Sequence, residues 1–551
     1  MNLYKYVSDE INKKLGFSAN LEVPKKHDFG DFSTNAAMVG AKAAGKKPRD
    51  LANEILPKIQ ELDFVENVSI AGPGFINIKI KDNFILNNAV IPERIAAQKS
   101  LKIDLDYGSY NIGKALHIGH LRTTVVGDTF NRITKFIGHK TKSYNHIGDW
   151  GRPMGLVIAW ILEYGMPQNV EELNEIYPKS SARATENEKW LDHAREITSE
   201  LQSGNKRYLD IYNSFIVMSL KQMDETLVRL NAEPFNTTMG EHGVSEYVSE
   251  MTKILENKKL LQESDGALIV NVRNESDNAP MPPLMVRNSA GAQTYDAWDL
   301  AAIYYRNTKD TPDEIIYFTD SRQTLHFQQL FRVAKMANIT SAQLTHVGFG
   351  TITGRDGKPF KTRDGNVANL TDILDMVETA VQERVAESNK KLNDTTIKQI
   401  ALSAVKFNDL LHDVKSDYVF DTNAITSFEG RTGPYILYTA VRLNSVLKRA
   451  NATISKPKSY ELSIDERNLL IQIMDFEHMI ISAFENRAPD LLANYAYDLC
   501  QQANNFYHNC PILRDDIAPA IKAGRLYIAK LAFDTLSTAI DLMGLQIPDE
   551  M

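Results

Sequence analysis

The chain has 551 residues and a formal net charge of −8 at pH 7, with 43% hydrophobic and 24% charged residues. This length is too great for a single hydrophobic core and predicts three or more domains. No apolar run is long enough to cross a membrane, and Met1–Leu15 lacks the pattern of a signal peptide, so we expect a cytoplasmic protein without a membrane anchor. The negative charge neither predicts nor excludes a nucleic-acid partner, because a large acidic protein can carry local basic patches.

Residues 1–100 have the pattern of a small α+β domain. Helical spacing covers Leu3–Leu15 and Pro48–Leu62, and strand-like alternation covers Val65–Ile70 and Phe75–Ile80 around a Gly-Pro-Gly turn. Residues 1–60 contain ten Lys and Arg against seven Asp and Glu, a local surplus of three in an acidic chain. This surplus is either a solvated surface or a contact for nucleic acid.

From residue 101 to residue 390, strand patterns alternate with helical ones. The strand patterns lie at 101–105, 144–147, 314–319 and 345–349. This alternation predicts a Rossmann-like parallel sheet with crossover helices, which is the fold of a nucleotide-binding catalytic domain. Residues 163–256 are charged and largely helical in pattern, and they predict a helical insertion between the two halves of that fold.

Residues 391–551 have helical periodicity nearly throughout and predict an all-α bundle, so the expected fold class is multidomain α/β. Only two cysteines occur in the chain, Cys500 and Cys510, and both lie in this region. Their spacing argues against a disulfide framework and against a zinc ion bound by cysteine. We expect both to fill space in a core and predict no structural metal.

The tetrad His117-Ile118-Gly119-His120 lies between the strand pattern at 101–105 and a helical pattern at 121–137. A helix start offers unpaired N–H groups and a positive dipole end, which suit a phosphate. Two histidines there can bind phosphate oxygens, and the glycine between them lets an adenine ring approach the backbone. The tetrad alone also fits two histidines at a helix start that have no role in catalysis.

The longer stretch around the tetrad resembles the active site of the arginyl-tRNA synthetases, which belong to class I. The resemblance rests on Asn111–Thr124 and Asn145–Gly151, and it extends over essentially the whole chain. It implies activation of L-arginine with ATP and Mg²⁺, followed by transfer of the arginyl group to the 2′-hydroxyl of the 3′-terminal adenosine of arginine tRNA. It also implies a monomer that needs bound tRNA for activation, and in which His117 and His120 stabilise charge on the phosphates.

The resemblance places a second phosphate-binding element in the basic, glycine-flanked stretch Gly354–Asn366, a composition that suits a loop closing over pyrophosphate. Thr362 stands where the class has a second lysine. In family members with such a variant, a lysine just before the tetrad is thought to supply the charge, and Lys114 occupies that place; an exposed turn lysine without a role is the alternative. The expected catalytic residues are Lys114, His117, His120, Lys361 and Arg363, and the expected ATP contacts are Gly119, Lys358 and Thr362.

Selection of arginine needs carboxylates, because a carboxylate matches the planar fork of guanidinium donors and distinguishes it from lysine. Tyr295 and Asp299 lie four residues apart at a predicted helix start and so share one face. Glu241 is the second acid that the resemblance implies, although an acid at a helix start is by itself more often a cap. The other expected arginine contacts are Asn111 and Gln329, the latter with Gln328 as the alternative.

The resemblance implies two tRNA-binding regions. The segment Pro24–Asn35 resembles part of the family's additional N-terminal domain, which contacts the corner of tRNA. The segment Phe428–Arg442 resembles the start of the anticodon-binding domain, where aromatic side chains stack on unpaired bases, although tyrosines on an apolar helix face are more often core residues. The candidate tRNA contacts are Lys25, Lys26, Lys46, Lys47, Tyr435, Tyr438 and Arg442.

Functions of two other classes compete with this interpretation. A small-molecule nucleotidylyltransferase also uses a His-x-Gly-His turn, but it needs neither a basic N-terminal domain nor a helical tail of domain size. An RNA-binding protein that had lost its synthetase activity would not need an intact set of candidate site residues. Among synthetases, the cysteinyl enzyme is disfavoured because its zinc site needs more than two cysteines.

Overall fold

The computed structural model describes residues 2–24, 30–358, 360, 369–388, 391–457 and 460–551. The predicted helices and strands of the N-terminal region are confirmed, and two short strands and two helices join them. These elements are α1 (Leu3–Leu15), β1 (Leu21–Glu22), β2 (Phe32–Thr34), α2 (Ala36–Ala44), α3 (Pro48–Gln60), β3 (Val65–Ala71), β4 (Phe75–Ile80) and α4 (Asp82–Asn88). The four strands form an antiparallel sheet in the order β1-β2-β4-β3.

The central region contains a parallel sheet of five strands with helices between them. Its elements are β5 (Lys102–Asp106), α5 (Ile118–Ile137), β6 (Lys140–Ile147), α6 (Arg152–Tyr164), α7 (Val170–Glu186), α8 (Glu188–Gln202), α9 (Lys206–Arg229), β7 (Thr237–Gly240), α10 (Glu241–Asn257), β8 (Leu261–Ser264), β9 (Ala267–Val270), β10 (Leu284–Arg287), α11 (Tyr295–Lys309), β11 (Glu314–Asp320), α12 (Thr324–Ala337) and β12 (Gln343–Phe349). Strands β8, β9 and β10 form a separate antiparallel sheet.

The order of the parallel sheet, β12-β11-β5-β6-β7, confirms the Rossmann-like prediction. From β5, the next strands in the chain, β6 and β7, lie on one side. The later strands β11 and β12 lie on the other side of β5. Ligands of such sheets bind beyond the carboxyl ends of the strands at the point where the order reverses. The fold therefore places a binding crevice at the carboxyl ends of β5 and β11.

The predicted helical insertion contains one element that the sequence pattern did not reveal. Helices α7, α8 and α9 follow the prediction, but β7 is a strand of the parallel sheet, paired with β6. Helix α10, which starts directly after β7, packs against α11. The last part of residues 163–256 is therefore part of the sheet layer, and the division of the chain at residues 100 and 390 stays a prediction.

The C-terminal region is helical, as predicted, apart from one short strand pair. Its elements, with the strand that precedes them, are β13 (Ile352–Thr353), α13 (Leu370–Glu387), α14 (Asp394–Leu411), β14 (Tyr418–Val419), α15 (Thr422–Ile425), α16 (Gly433–Ala450), α17 (Ile464–Met474), α18 (Phe476–Glu485), α19 (Asp490–Asn509) and α20 (Pro519–Leu542). Cys500 and Cys510 are buried, and neither is in a disulfide. No helix in the described ranges combines the length and the apolarity needed to cross a membrane.

A buried arginine joins the helical bundle to the N-terminal sheet. Arg467 of α17 forms ion pairs with Asp31 and Asp82 and donates a hydrogen bond to the Ile80 carbonyl oxygen at 2.6 Å. Asp31 also accepts a hydrogen bond from the Ile80 N–H at 2.6 Å. Burial raises the pKa of Asp31 even though Arg467 opposes this effect, so the carboxylate depends on its partner.

We expect Arg467→Ala to loosen the N-terminal sheet from the bundle, because it leaves the buried Asp31 carboxylate without its cation. Removing one partner of a buried pair costs about 3–5 kcal/mol. Amide hydrogen exchange in β4 should therefore speed up, while exchange in the parallel sheet stays unchanged. Arg514→Ala is the control, because Arg514 pairs with Asp516 on the exposed surface of the same bundle. Equal protection of β4 in both variants would contradict the assigned role of Arg467.

Candidate active site

The two tetrad histidines are fixed by backbone hydrogen bonds at the start of α5. Nδ1 of His117 accepts from the Gly119 N–H at 3.1 Å, and Nδ1 of His120 accepts from the His117 N–H at 3.0 Å. Because each Nδ1 is an acceptor, each neutral ring carries its proton on Nε2. The rings lie 4.0 Å apart between centroids. The turn therefore presents two N–H donors in fixed positions.

Both histidines are neutral at physiological pH. Burial, with the nearby His117 and Lys114, lowers the pKa of His120 to about 3. Burial also lowers the pKa of His117, and the charges of Lys114 and Arg322 lower it further. Positive charge at this turn must therefore come from lysine and arginine side chains. Arg322, an exposed residue just after β11 that pairs with Asp320, is a nearby cation that sequence reasoning did not select.

Gly119 has a steric role within the turn itself. A Cβ atom at this position would lie 2.8 Å from Cε1 of His117, closer than side chains approach each other. Glycine is therefore needed for the His117 ring to fold back over the helix start. The predicted approach of an adenine ring at Gly119 stays a prediction.

Lys114 lies three residues before His117 and directs its ammonium group toward the helices α7–α9. Its Nζ lies 4.2 Å from the centroid of the Tyr177 ring on α7, a cation–π distance. No carboxylate among the described residues forms an ion pair with Lys114. The charge is thus held beside the histidines by an aromatic ring, and it is not neutralised by an acid of the described ranges.

The chain that follows the predicted phosphate loop lies against the histidine turn, which comprises Leu116–His120. After the loop, the Leu370 N–H donates to the Leu116 carbonyl oxygen at 2.8 Å, and Asn369 forms a β-bridge with His117. At the start of the loop, the Gly354 N–H donates to the Lys358 carbonyl oxygen at 2.8 Å, and Lys358 is exposed. The predicted residues Lys361, Thr362 and Arg363 lie outside the described residues.

Arg122 of α5 joins the histidine helix to the base of this loop and to the helical bundle. It donates to the carbonyl oxygens of Gly350 at 2.9 Å, Ser416 at 2.6 Å and Asp413 at 3.1 Å, and its Nε lies 3.3 Å from Asp409 Oδ1. Its side chain is almost completely buried. Sequence reasoning missed this role. Helix α5 also carries Asp128, Arg132 and Lys135, so nothing in its sequence sets Arg122 apart.

The expected arginine-binding acids lie at the starts of two helices beyond the carboxyl edge of the sheet. Glu241 is the first residue of α10, and its Oε2 accepts from the Trp150 N–H at 3.0 Å. Asp299 lies in the second turn of α11, with Oδ2 at 2.8 Å from His326 Nε2 and Oδ1 at 3.5 Å from His146 Nε2. We call the group Glu241, Asp296, Asp299, His146 and His326 the acidic pocket.

The two acids differ in their ionisation. Burial raises the pKa of Glu241 to about 7, and the charges of Asp149 and Asp299 contribute in the same direction. Burial alone would raise the pKa of Asp299, but the hydrogen bond from His326 and the charge of His146 lower it overall. Asp299 is therefore ionised at pH 7, whereas Glu241 is near its midpoint and will ionise when a cation approaches.

Asp149 supports the pocket and is not free to bind a ligand. Its Oδ2 accepts from the Tyr212 hydroxyl at 2.8 Å, and its Oδ1 accepts from the His242 N–H at 3.1 Å. A Cβ at Gly240 would lie 2.3 Å from this carboxylate, so the end of β7 must be glycine. These contacts fix the start of α10 and thereby the position of Glu241.

The other predicted arginine contacts surround the acidic pocket. Tyr295 is 60% exposed, and its ring lies 5.3 Å from that of His326. Asn111 is exposed and forms a β-bridge with Gly148 at the end of β6. Gln329 lies one turn after His326, and its Nε2 donates to the carbonyl oxygens of Pro282 at 2.7 Å and Pro283 at 3.2 Å. The alternative contact, Gln328, is exposed.

The candidate tRNA contacts lie in two places. On the N-terminal region, Lys46 pairs with Glu54 at 2.6 Å and Lys47 is the N-cap residue of α3; Lys25 and Lys26 lie outside the described residues. In the bundle, the candidates Tyr435, Tyr438 and Arg442 line one cavity of about 730 Å³. The other lining residues lie between α13 and the C-terminus. The lining includes Arg384, Phe428, Tyr435, Tyr438, Arg442, Asn504, His508 and Met551.

Within this cavity the polar groups hold one another in place. Arg442 donates to the Tyr438 hydroxyl at 3.0 Å and to Asn504 Oδ1 at 2.9 Å, and its guanidinium lies over the rings of Tyr438 and Tyr507. The Tyr435 hydroxyl accepts from Asn504 Nδ2 at 2.8 Å. The arrangement is a half-open aromatic cavity with a cation at its wall.

Family models match three consecutive parts of the chain. "Arginyl tRNA synthetase N terminal domain" matches residues 1–80, "tRNA synthetases class I (R), catalytic domain" matches residues 82–422, and "DALR anticodon binding domain" matches residues 436–551. The catalytic match alone covers more than half of the chain.

Curated relatives and solved structures agree with these matches. The arginine–tRNA ligase of Alkaliphilus oremlandii is 35% identical over 572 residues, which cover 98% of this chain and 96% of the relative. That of Francisella tularensis subsp. novicida is 34% identical over 590 residues, which cover 100% of both chains. The fold is shared with the arginyl-tRNA synthetases of Plasmodium falciparum (TM-score 0.85, 24% identity, covering 100% of this chain and 99% of that one) and Thermus thermophilus (TM-score 0.86, 22% identity, covering 100% of both).

Proposed function

The chain belongs to the arginyl-tRNA synthetases of class I, and we propose that its histidine turn acts on the phosphates of ATP while its acidic pocket selects arginine. The enzyme is an ATP-dependent ligase that joins arginine to tRNA for protein synthesis. One observation supports this assignment of two separate roles. His117 and His120 present two Nε2–H donors at the start of α5, and Glu241 and Asp299 present two carboxylates at the starts of α10 and α11. Both groups lie beyond the carboxyl edge of one parallel sheet.

In the first step, a carboxylate oxygen of arginine attacks the α-phosphorus of ATP, and the bond to the pyrophosphate oxygen breaks. The Nε2–H groups of His117 and His120 donate to phosphate oxygens as negative charge builds on them. Lys114 supplies positive charge next to them, and Lys358, Lys361, Thr362 and Arg363 bind the leaving pyrophosphate. Mg²⁺ enters with ATP as part of the substrate.

In the second step, the 2′-hydroxyl of the 3′-terminal adenosine of arginine tRNA attacks the carbonyl carbon of arginyl-adenylate, and AMP leaves. The protein contributes mainly position to this step, since the adenylate is already activated. We further propose that activation in the first step waits for bound tRNA. Pyrophosphate exchange at full rate without tRNA would contradict that dependence.

Arginine is selected by the carboxylates of Asp299 and Glu241, with Tyr295, Gln329 and Asn111 around the substrate. Asp299 is ionised and offers Oδ1, while Glu241 ionises when the guanidinium arrives. A bidentate or paired carboxylate contact favours a planar guanidinium over an ammonium. Charging assays with unfractionated tRNA and each labelled amino acid should therefore give arginine charging alone; charging by a different amino acid would contradict this assignment.

The binding of arginine should depend on pH through Glu241. Since the guanidinium favours the ionised carboxylate, KM for arginine should fall as pH rises from 6 to 8 and level off above the Glu241 pKa of about 7. Below that pKa, KM should rise by up to about tenfold per pH unit. Glu241→Gln should show a high KM without this dependence, and KM for ATP is the internal control. A flat pH profile for arginine in the unmodified enzyme would contradict the role of Glu241.

We propose that tRNA binds along the N-terminal region through Lys25, Lys26, Lys46 and Lys47, and that Tyr435, Tyr438 and Arg442 contact unpaired bases in the bundle cavity. We place the N-terminal tRNA-binding domain at residues 1–100, the catalytic domain at residues 101–390 and the anticodon-binding domain at residues 391–551. The enzyme acts as a monomer in the cytoplasm under this proposal.

Removal of the cavity cation should weaken tRNA binding. Arg442→Ala takes away the guanidinium that lies over two tyrosine rings, and base contacts of this kind contribute about 1–3 kcal/mol each. KM for tRNA should therefore rise about tenfold, while KM for arginine and ATP stays the same. Arg514→Ala, on the exposed surface of the same bundle, should leave all three constants unchanged. A KM for tRNA that does not rise in Arg442→Ala would exclude this cavity as a contact.

A further inference from the structure

A single histidine faces both carboxylates of the first two turns of α11. Nδ1 of His326 lies 3.0 Å from Asp296 Oδ1, and Nε2 lies 2.8 Å from Asp299 Oδ2. The Asp299 contact is a hydrogen bond, and the Asp296 contact lies within ion-pair distance. A carboxylate oxygen thus faces each ring nitrogen, and this arrangement favours the imidazolium, which carries a proton on both nitrogens.

The surroundings of His326 support a fixed charge. Burial alone would lower its pKa, but the hydrogen bonds and charges of Asp296 and Asp299 raise it to about 9. The charged and titratable groups that face it are Asp296, Asp299 and Tyr295 on α11 and His346 on β12, with His146 of β6 on the far side of Asp299. His346 is neutral, because burial and the charge of His326 lower its pKa to about 4.

The contacts of the two carboxylates leave one oxygen available. Asp296 uses Oδ1 for His326 and Oδ2 to accept from the Met285 N–H at 3.2 Å. Asp299 uses Oδ2 for His326. Among the residues that the structure describes, the ion-pair partner of its Oδ1 is His146 Nε2 at 3.5 Å, which is longer than a well-formed hydrogen bond. His326 thus fixes which atom of Asp299 can meet an incoming donor.

We propose that His326 is a positioning residue for arginine: as a doubly protonated imidazolium it binds Asp296 and Asp299 together, keeps Asp299 ionised and turns Asp299 Oδ1 toward the substrate guanidinium. This inference rests on the proposed function of the acidic pocket. Its consequence for specificity is that citrulline, which has no positive charge and has an acceptor oxygen in place of one donor group of arginine, binds the ionised Asp299 less well. Without the imidazolium, Asp299 would lie beside Asp296 and Glu241 and would take up a proton more readily.

The test compares His326→Gln, which is neutral, with His326→Arg, which keeps the charge and offers several donors. His326→Gln should raise KM for arginine about tenfold or more with little change in kcat or in KM for ATP, since it removes the cation that faces both Asp296 and Asp299. The acid limb of kcat/KM for arginine should move to higher pH in His326→Gln, because Asp299 then titrates together with Glu241. In His326→Arg, the acid limb of kcat/KM for arginine should lie at nearly the same pH as in the unmodified enzyme.

A spectroscopic measurement makes the inference independent of activity. The chain has 12 histidines, and with ¹⁵N-labelled histidine one of them should keep imidazolium shifts on both ring nitrogens at pH 8, a signal absent from His326→Gln. If the His326 signal loses its proton with a midpoint below pH 7 as pH rises, the inference is overturned. An unchanged KM for arginine in His326→Gln would overturn it as well. If instead the unmodified enzyme does not charge arginine while the imidazolium signal is present, the proposed function of the pocket fails and the charge state of His326 stands.

Discussion

Replacement of His117 by alanine should lower kcat for arginine charging by about 10²–10³-fold, which corresponds to about 3–4 kcal/mol of transition-state stabilisation. The reason is that His117 offers a neutral Nε2–H in a fixed position, because its Nδ1 is already occupied by the Gly119 N–H. KM for arginine should change little, since the acidic pocket is intact. Single-turnover formation of arginyl-tRNA measures the effect directly.

His117 also caps α5, so its variant needs a control for helix stability. Asparagine is a strong N-cap residue, whereas alanine is not, and the difference is about 1 kcal/mol. His117→Asn should therefore melt like the unmodified enzyme and yet be nearly as slow as His117→Ala. If His117→Asn regains most of the activity, the histidine acts as a cap and not through its Nε2–H.

Replacement of Asp299 by asparagine should lower kcat/KM for arginine by about 100-fold or more. The change removes the ionised oxygen that meets the guanidinium and leaves the His326 imidazolium with one partner fewer, so the pocket becomes less negative. Truncating one partner of a buried charged contact costs about 2–5 kcal/mol. The loss should appear in KM for arginine, with KM for ATP unchanged, in steady-state charging assays.

Asp296→Asn is the matched control for this variant. Asp296 lies one turn away on the same helix and contacts the same histidine, but its other oxygen accepts from the Met285 N–H. We therefore expect a clearly smaller loss for Asp296→Asn than for Asp299→Asn. Equal losses would indicate that the two carboxylates act only by holding α12 in place.

Long elements with a regular pattern could be predicted from the sequence, and short ones could not. The helix α5 and the strand β11 follow apolar periodicity, because each has a continuous face or run to bury. The strand β7 has four residues, Thr237–Gly240, and it is held by pairing with β6 rather than by a pattern of its own. The sequence of such a strand has no apolar pattern from which the strand could be predicted.

The parts of the candidate site that lie within one short stretch of sequence could be predicted. The histidine turn is such a stretch, because both backbone hydrogen bonds that fix the rings come from within Leu116–His120. Asp299 and Glu241 could be selected by the resemblance, but their partners lie far away in the chain. His326 lies 27 residues after Asp299 in the chain, and Arg122 donates to carbonyl oxygens beyond residue 349. These residues come into contact only in the folded protein.

One signal for His326 was nevertheless present in the sequence. It lies at the start of a helix that follows a strand of the parallel sheet, and Asp296 and Asp299 lie at the start of the helix before that strand. Helix starts of a parallel α/β fold gather at the carboxyl edge of the sheet, so polar residues at two such starts are expected to meet. The pairing of particular atoms, however, depends on packing that the sequence pattern does not specify.

The most direct measurement of the proposed division of work is steady-state charging of tRNA with arginine by His117→Ala and Asp299→Asn side by side. We expect His117→Ala to lower kcat and to leave KM for arginine near its normal value, whereas Asp299→Asn should raise KM for arginine and leave KM for ATP unchanged. If both variants change the same constant in the same way, the histidine turn and the acidic pocket do not have the separate roles proposed for them.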